Sequence, residues 1–218
     1  HHFHLILNLS HRPHAAQLAG ELSCDALVGP VACGEGTYIH GDWQLYRASL
    51  VQNNRHNRFH WAELNSLDVT PLEDMRATGW PEPRSPHKSL QEDAWGKRVG
   101  LFLGASEEAK RPTVTFWAEL VDELLHRGLR PVLLGGPAEV ALGQAVEAQA
   151  KGPCLNLCGR FQLVEFAKLS QTMSLMITPD TGPMHLAVWT GLKTLNLSMG
   201  PVSPWETGPY QPGHLVLQ

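Results

Sequence analysis

Ser174-Leu-Met-Ile-Thr-Pro-Asp-Thr-Gly-Pro-Met-His-Leu-Ala-Val-Trp-Thr-Gly191 decides the fold. Ser174–Ile177 is a short apolar run of the kind that forms a strand buried on both faces. His185–Thr190 reads as a short helix stopped by Gly191. Between them, Asp180 and Thr181 offer capping side chains, and Pro183 stands where a first helical turn tolerates a missing N–H. Gly182 lets another group approach the backbone closely. A strand that turns through Asp-Thr-Gly into a helix presents N–H groups and a positive dipole end, which together receive phosphate. Each residue has a plainer use as well: Asp180 as an ordinary cap, His185 as an exposed or satisfied histidine. The surrounding chain has to supply the weight.

It does so by alternation. Arg98–Leu103 reads as a strand, followed by the loop Gly104–Pro112. Thr113 caps a helix running to His126, with Phe116, Leu120, Leu124 and Leu125 as its apolar stripe and Gly128 as its stop. Pro131–Leu134 is the next strand, and Gly135–Glu139 leads into a helix ending near Ala150. Cys154–Cys158 is a strand, Leu163–Ser170 a helix, and Lys193–Met199 a further strand after the opening stretch. Strands alternating with helices predict a parallel, doubly wound sheet, here over residues 97–218.

Residues 1–90 repeat the pattern less completely. Phe3–Ser10 reads as a buried strand, His14–Leu22 as a helix with Ala15, Leu18, Ala19 and Leu22 on one face, and Ala26–Gly29 as a second strand. That is one strand–helix–strand unit, so parallel pairing is expected. A sheet of so few strands leaves open edges, and the amino-terminal domain is expected to be incomplete. Cys33–Asp42 reads as glycine-rich loop, Trp43–Val51 and Phe59–Leu67 as helices, and Met75–Leu90, rich in proline, as a linker.

Composition narrows the function. The formal net charge is -4, and no basic run or interleaved aromatic stripe points to nucleic acid. No apolar stretch is long enough to span a bilayer, and none resembles a signal peptide. The cysteines at 24, 33, 154 and 158 have no framework spacing, so reduced thiols are expected, and no metal site. Histidines cluster before residue 15, but a strand over Phe3–Leu9 scatters His4, His11 and His14.

In such sheets ligands bind outside the carboxyl ends of the strands. Those ends carry Gly104-Ala-Ser106, Gly135-Gly-Pro137, Asp180-Thr-Gly182 and Gly200-Pro201. Small residues at four strand ends leave backbone N–H groups accessible to a pyrophosphate, and Lys110 adds a cation. Neither Gly-x-Gly-x-x-Gly after the first strand nor Gly-x-x-x-x-Gly-Lys is present, which supports neither a dinucleotide dehydrogenase nor a P-loop enzyme. In the first half, Asn53-Asn-Arg-His-Asn-Arg-Phe-His60 is either a solvated loop or a surface for an anionic acceptor.

Gly104-Ala-Ser with Lys110, Leu133-Leu-Gly-Gly-Pro-Ala-Glu139, Asp180-Thr-Gly-Pro-Met-His185 and Gly200-Pro-Val-Ser-Pro with Thr207-Gly-Pro together resemble glycosyltransferase family 9, the heptosyltransferases of lipopolysaccharide core assembly. The likeness is densest from Val99 onward and weaker over Leu5–Leu9 and Asn57–His60. It implies a GT-B architecture of two Rossmann-like domains, with the donor bound by the second. It also implies inverting, metal-independent transfer of heptose from an ADP-sugar co-substrate to a lipopolysaccharide core or other glycan, with no further cofactor. The enzyme would be cytoplasmic, able to associate with the inner face of the inner membrane. By position, Ser106 and Lys110 would meet the phosphates and Glu139 would lie near the ribose or adenine. Asp180, Thr181, Gly182 and His185 would surround the diphosphate and sugar. Arg55, Arg58 and His60 would hold the acceptor.

Two departures stand out. The family usually has Lys-x-Trp-Pro where this chain has Lys110-Arg-Pro112. Its acceptor loop and catalytic aspartate would precede Phe3, so the base is expected upstream of these residues. The alternatives are a nucleotide-sugar 2-epimerase, a GT-B enzyme using another sugar, or a catalytically silent nucleotide-sugar-binding module.

Overall fold

The computed structural model describes residues 1–50, 54, 56–77, 97–200, 203–210 and 212–218. They fall in two units, His1–Gly79 and Trp80–Gln218. Arg55 and the greater part of the expected linker lie outside the described residues.

In the first unit, β1 (His2–Leu7), α1 (Pro13–Glu21) and β2 (Ser23–Cys33) form the expected crossover, with β1 and β2 parallel in the register Leu5↔Ala26. Asn8 fastens the end of β1, its N–H donating to Val28 at 2.8 Å and its side-chain amide to the Pro30 carbonyl at 2.6 Å. Ala16 and Ala19 bury one face of α1, where small side chains let the helix lie close to β2. Contrary to expectation β1 is not buried: Phe3, Leu5 and Leu7 are 40%, 46% and 40% exposed. It is an edge strand in the order β1-β2-β3, so apolar composition alone did not set its burial. On the opposite face His2 and His4 both bond the Asp25 carboxylate, at 2.6 and 2.8 Å.

The expected loop Cys33–Asp42 is instead half of a hairpin. β3 (Gly36–His40) pairs antiparallel with β2, closing across Gly34-Glu35 with Gly34 at φ 61°. The positive φ is what a two-residue hairpin turn demands of its glycine. Beyond it come α2 (Asp42–Ser49), α3 (Trp61–Ser66) and α4 (Leu72–Ala77), the last covering the start of the stretch expected to be linker. Trp43 stacks edge-on against Tyr46 and Phe59, at 5.9 and 5.1 Å between centroids, and Asp68 accepts the Trp43 and Gln44 N–H groups at the start of α2.

The second unit holds β4 (Arg98–Phe102), α5 (Val114–His126), β5 (Arg130–Leu134), α6 (Val140–Gln149), β6 (Leu155–Asn156), α7 (Leu163–Ser170), β7 (Leu175–Pro179), α8 (Gly182–Trp189), β8 (Thr194–Leu197), α9 (Pro204–Thr207) and β9 (Leu215–Leu217). All its strand pairs are parallel, in the order β6-β5-β4-β7-β8-β9. Strand order therefore reverses between β4 and β7, the switch point at which doubly wound sheets bind ligands. Alternate residues of the central strands feed two cores. Val99, Leu101 and Leu133 face Trp117 and Val121 of α5; Val132, Leu134 and Met176 face Phe166 and Ala187. A fully buried leucine such as Leu101 is worth about 1.5–3 kcal/mol. Gly100 belongs to the second face, where a Cβ would stand 2.6 Å from Met173 Sδ.

Thr113 caps α5 as expected, its Oγ1 accepting the Phe116 N–H at 3.2 Å. The buried stripe, however, is Trp117, Ala118, Val121 and Leu124, while Phe116 is 40% exposed. The helix is turned so that the indole fills the core and Leu120 and Leu125 pack at its margins. Of the expected strand Cys154–Cys158 only Leu155–Asn156 pairs, with Val132 and Leu133 of β5 at the edge of the sheet. Among the described residues no group of three or more His, Cys, Asp or Glu is placed to hold a metal, and no helix is long and apolar enough to cross a membrane.

Candidate active site

A cavity of about 450 Å³ opens at the carboxyl ends of β4, β5 and β7. One wall is apolar, built from Phe102, Leu134, Leu157, Phe161, Leu163 and Phe166. Phe102 and Phe166 meet edge to face at 5.7 Å between centroids, which fixes both rings. The other wall carries Gly104, Ser106, Arg111, Glu139, Thr181 and Gly182. An apolar slot beside a rim of glycines, hydroxyls and two charged side chains suits a ligand with a flat base and a charged end.

Glu139 is set by glycines. A Cβ on Gly104 would stand 2.6 Å from its Cδ, and one on Gly135 would overlap its Cβ. The carboxylate lies over the tips of β4 and β5 in the space those missing side chains leave, with Oε2 accepting the Gly136 N–H at 2.8 Å. Gly182 is different: a Cβ there would meet nothing within 4 Å, so the fold itself does not require a glycine.

Asp180 corrects the sequence reading. Neither it nor Thr181 caps α8: Thr181 occupies the N-cap position without a side-chain bond, and its Oγ1 is buried with no partner among the described residues. Asp180 Oδ2 instead accepts from Thr207 Oγ1 at 2.7 Å and lies 3.7 Å from Lys110 Nζ. Lys110 is itself buried, with Glu107 Oε1 at 3.5 Å on its other side. The carboxylate is held by a cation and a hydroxyl from distant segments of the chain.

His185 follows on α8. Burial pushes its imidazole below the ordinary value, and the Asp180 carboxylate opposes that shift. Ser106, Glu139, Thr181 and Gly182 thus share one cavity, while Lys110 and Asp180 form a pair tied to Thr207. Thr207 and Arg111 join the expected residues here: Thr207 lies in the Thr207-Gly-Pro motif, and Arg111 directly follows Lys110. In the first unit, Arg58 Nη1 donates to the Asn57 carbonyl at 2.8 Å. His60 Nδ1 accepts the Ala62 N–H at 3.0 Å, and Glu63 accepts the His60 N–H, a reciprocal cap for α3.

Residues 73–217 match the family model "Glycosyltransferase family 9 (heptosyltransferase)". The chain belongs to glycosyltransferase family 9. Over 116 residues it is 30% identical to lipooligosaccharide heptosyltransferase 2 of Haemophilus influenzae, which covers 51% of this chain. Over an equal length it is 31% identical to lipopolysaccharide heptosyltransferase 2 of Escherichia coli. Each match spans 33% of the relative's own length.

Among solved structures, a family 9 glycosyltransferase from Veillonella parvula superimposes with a TM-score of 0.62 and 25% identity, covering 74% of this chain and 50% of that one. Escherichia coli ADP-heptose LPS heptosyltransferase II gives a TM-score of 0.54 and 28% identity, covering 57% of this chain and 39% of that one. The expected fold class, α/β of the GT-B type, agrees with these likenesses, and the family 9 chain here represents part of that architecture.

Proposed function

We propose that this chain acts in the inverting transfer of heptose from an ADP-activated donor to a lipopolysaccharide core or other glycan, and that its second unit binds the donor. The observation that carries the reading is the cavity at the switch point, apolar on one wall and lined on the other by Ser106, Glu139, Thr181 and Gly182. The names of the matched relatives supply the sugar and the acceptor class.

In this reading the adenine lies against Leu134, Leu157 and Phe166, and the Glu139 carboxylate receives the ribose hydroxyls. The diphosphate reaches the Thr181 hydroxyl, the Gly182 backbone and Ser106. His185, held neutral by burial, adds a hydrogen bond near the sugar without a competing charge. An acceptor hydroxyl attacks the anomeric carbon, the bond from that carbon to the phosphate oxygen breaks on the opposite face, and ADP leaves with the electron pair. The hydroxyl proton passes to a base. Preorganised donors at the departing diphosphate lower the barrier because they need no reorientation as charge develops.

Asp180 poses an electrostatic difficulty, since a carboxylate beside a diphosphate repels it. Lys110 and Thr207 answer it, one by opposite charge and one by a hydrogen bond. In this reading no metal or further cofactor takes part, Arg55, Arg58 and His60 serve the acceptor, and the protein works in the cytoplasm, peripherally at the inner membrane. Calorimetric titration with ADP, UDP and GDP, alongside transfer from ADP-heptose to heptose-deficient lipopolysaccharide, tests it. Preference for ADP is expected; equal binding of all three, or of none, overturns the donor assignment.

A further inference from the structure

We infer that Arg111 is a direct binding residue for the donor's diphosphate, a role distinct from that of Lys110 beside it. The inference rests on the donor-site reading above and adds the residue that supplies its exposed positive charge.

The two cations are sequence neighbours with opposite surroundings. Lys110 ends a short 3-10 turn, Glu108–Lys110, and is buried between Glu107 and Asp180, so its charge is already matched by two carboxylates. It is not among the residues lining the cavity. Arg111 is followed by Pro112, whose ring excludes helical backbone from the residue before it. Arg111 accordingly adopts extended backbone, φ -96° and ψ 116°, and its side chain lines the cavity that Ser106 and Gly182 also line.

There the guanidinium is anchored. Its Nε–H donates to the Ala105 carbonyl at 2.6 Å, in the loop that follows β4. That bond uses one of five N–H donors and leaves the two terminal nitrogens available for a fork of hydrogen bonds. Among the described residues no carboxylate pairs with Arg111 within 4.0 Å. A guanidinium anchored at Nε and unmatched in charge has the geometry that receives phosphate oxygens bidentately. At Lys110-Arg-Pro112 the proline holds Arg111 in extended backbone, and the Nε bond to Ala105 places its guanidinium at the cavity.

Titration of the full chain with ADP, AMP and adenosine by calorimetry tests this in the wild type, Arg111→Met and Arg111→Lys. Arg111→Met is expected to weaken ADP binding by roughly 10- to 100-fold, the range of a charge-assisted contact, and to leave adenosine binding unchanged. Arg111→Lys should fall between, since an ammonium keeps the charge but lacks both the Nε anchor and the fork. Unchanged ADP affinity in Arg111→Met, in a wild type that binds ADP, overturns the role of Arg111 and leaves the donor site standing. Equal loss of adenosine and ADP in both variants also overturns it, because the effect would then be on the fold of the loop. A wild type that binds none of the three overturns the donor reading itself.

Discussion

Lys110 Nζ lies 3.7 Å from Asp180 Oδ2, both side chains being about nine-tenths buried, and this pair joins the loop after β4 to the residue that follows β7. It spans the point where strand order reverses. The carboxylate that sequence alone assigns to a helix cap is held by groups 70 and 27 residues away, Lys110 and Thr207.

The pair is expected to act on the donor through charge. Lys110→Met should weaken ADP binding by about one to two decades, because it leaves the Asp180 carboxylate uncompensated beside the diphosphate. Lys110→Met combined with Asp180→Asn should recover part of the loss. Calorimetry of the four proteins of the cycle with ADP measures the coupling. A double variant no better than Lys110→Met would mean that Lys110 touches phosphate itself.

Stability should fall at acid pH through His214. Its Nδ1 accepts the Thr194 N–H at 3.1 Å, a bond that requires a ring unprotonated at that nitrogen, and lies 2.8 Å from Thr194 Oγ1. Burial first, and Lys193 second, hold its pKa below the ordinary 6.5. With the folded value depressed, the unfolded chain binds more protons at acid pH. The contribution is complete above 6.5 and is lost as pH falls toward the folded value. Urea unfolding at about pH 7.5 and about pH 5 should show a smaller acid loss in His214→Asn, whose amide oxygen accepts without titrating. An equal loss in both proteins would remove His214 from the account.

Asp68 is expected to matter for the first unit alone. Its two oxygens accept the Trp43 and Gln44 N–H groups at 3.1 and 3.0 Å, capping α2 from 25 residues away. Asp68→Ala should cost about 0.5–2 kcal/mol, the usual value of an N-cap, read as a lowered urea midpoint. ADP affinity should not change. A variant as stable as the wild type would show that water replaces the carboxylate without loss.

Much of the second unit was legible in the sequence, and the reason is local. Alternating apolar runs and capped amphipathic stretches report backbone dihedrals, which neighbours along the chain control. Thr113 caps α5 and Gly191 closes α8 at φ 79°, both read from residues within a turn of the helix end. The small residues after β4, β5 and β7 likewise line the cavity at the carboxyl edge of the sheet, whereas Gly200 after β8 does not.

Tertiary structure alone decided the rest. The hairpin of β2 and β3 was hidden because Gly34 and Gly36 look like loop until a neighbouring strand supplies partners for the backbone. The buried face of α5 carries Trp117, Ala118, Val121 and Leu124, a choice that packing against the sheet makes and the spacing of leucines alone does not. The partners of Asp180 depended on which distant segments the fold brought within reach, Lys110 from the turn after β4 and Thr207 from α9. Sequence fixes which polar groups stand next to a helix end, but the fold decides which charged groups are buried together, and a buried carboxylate requires a partner because water no longer solvates it.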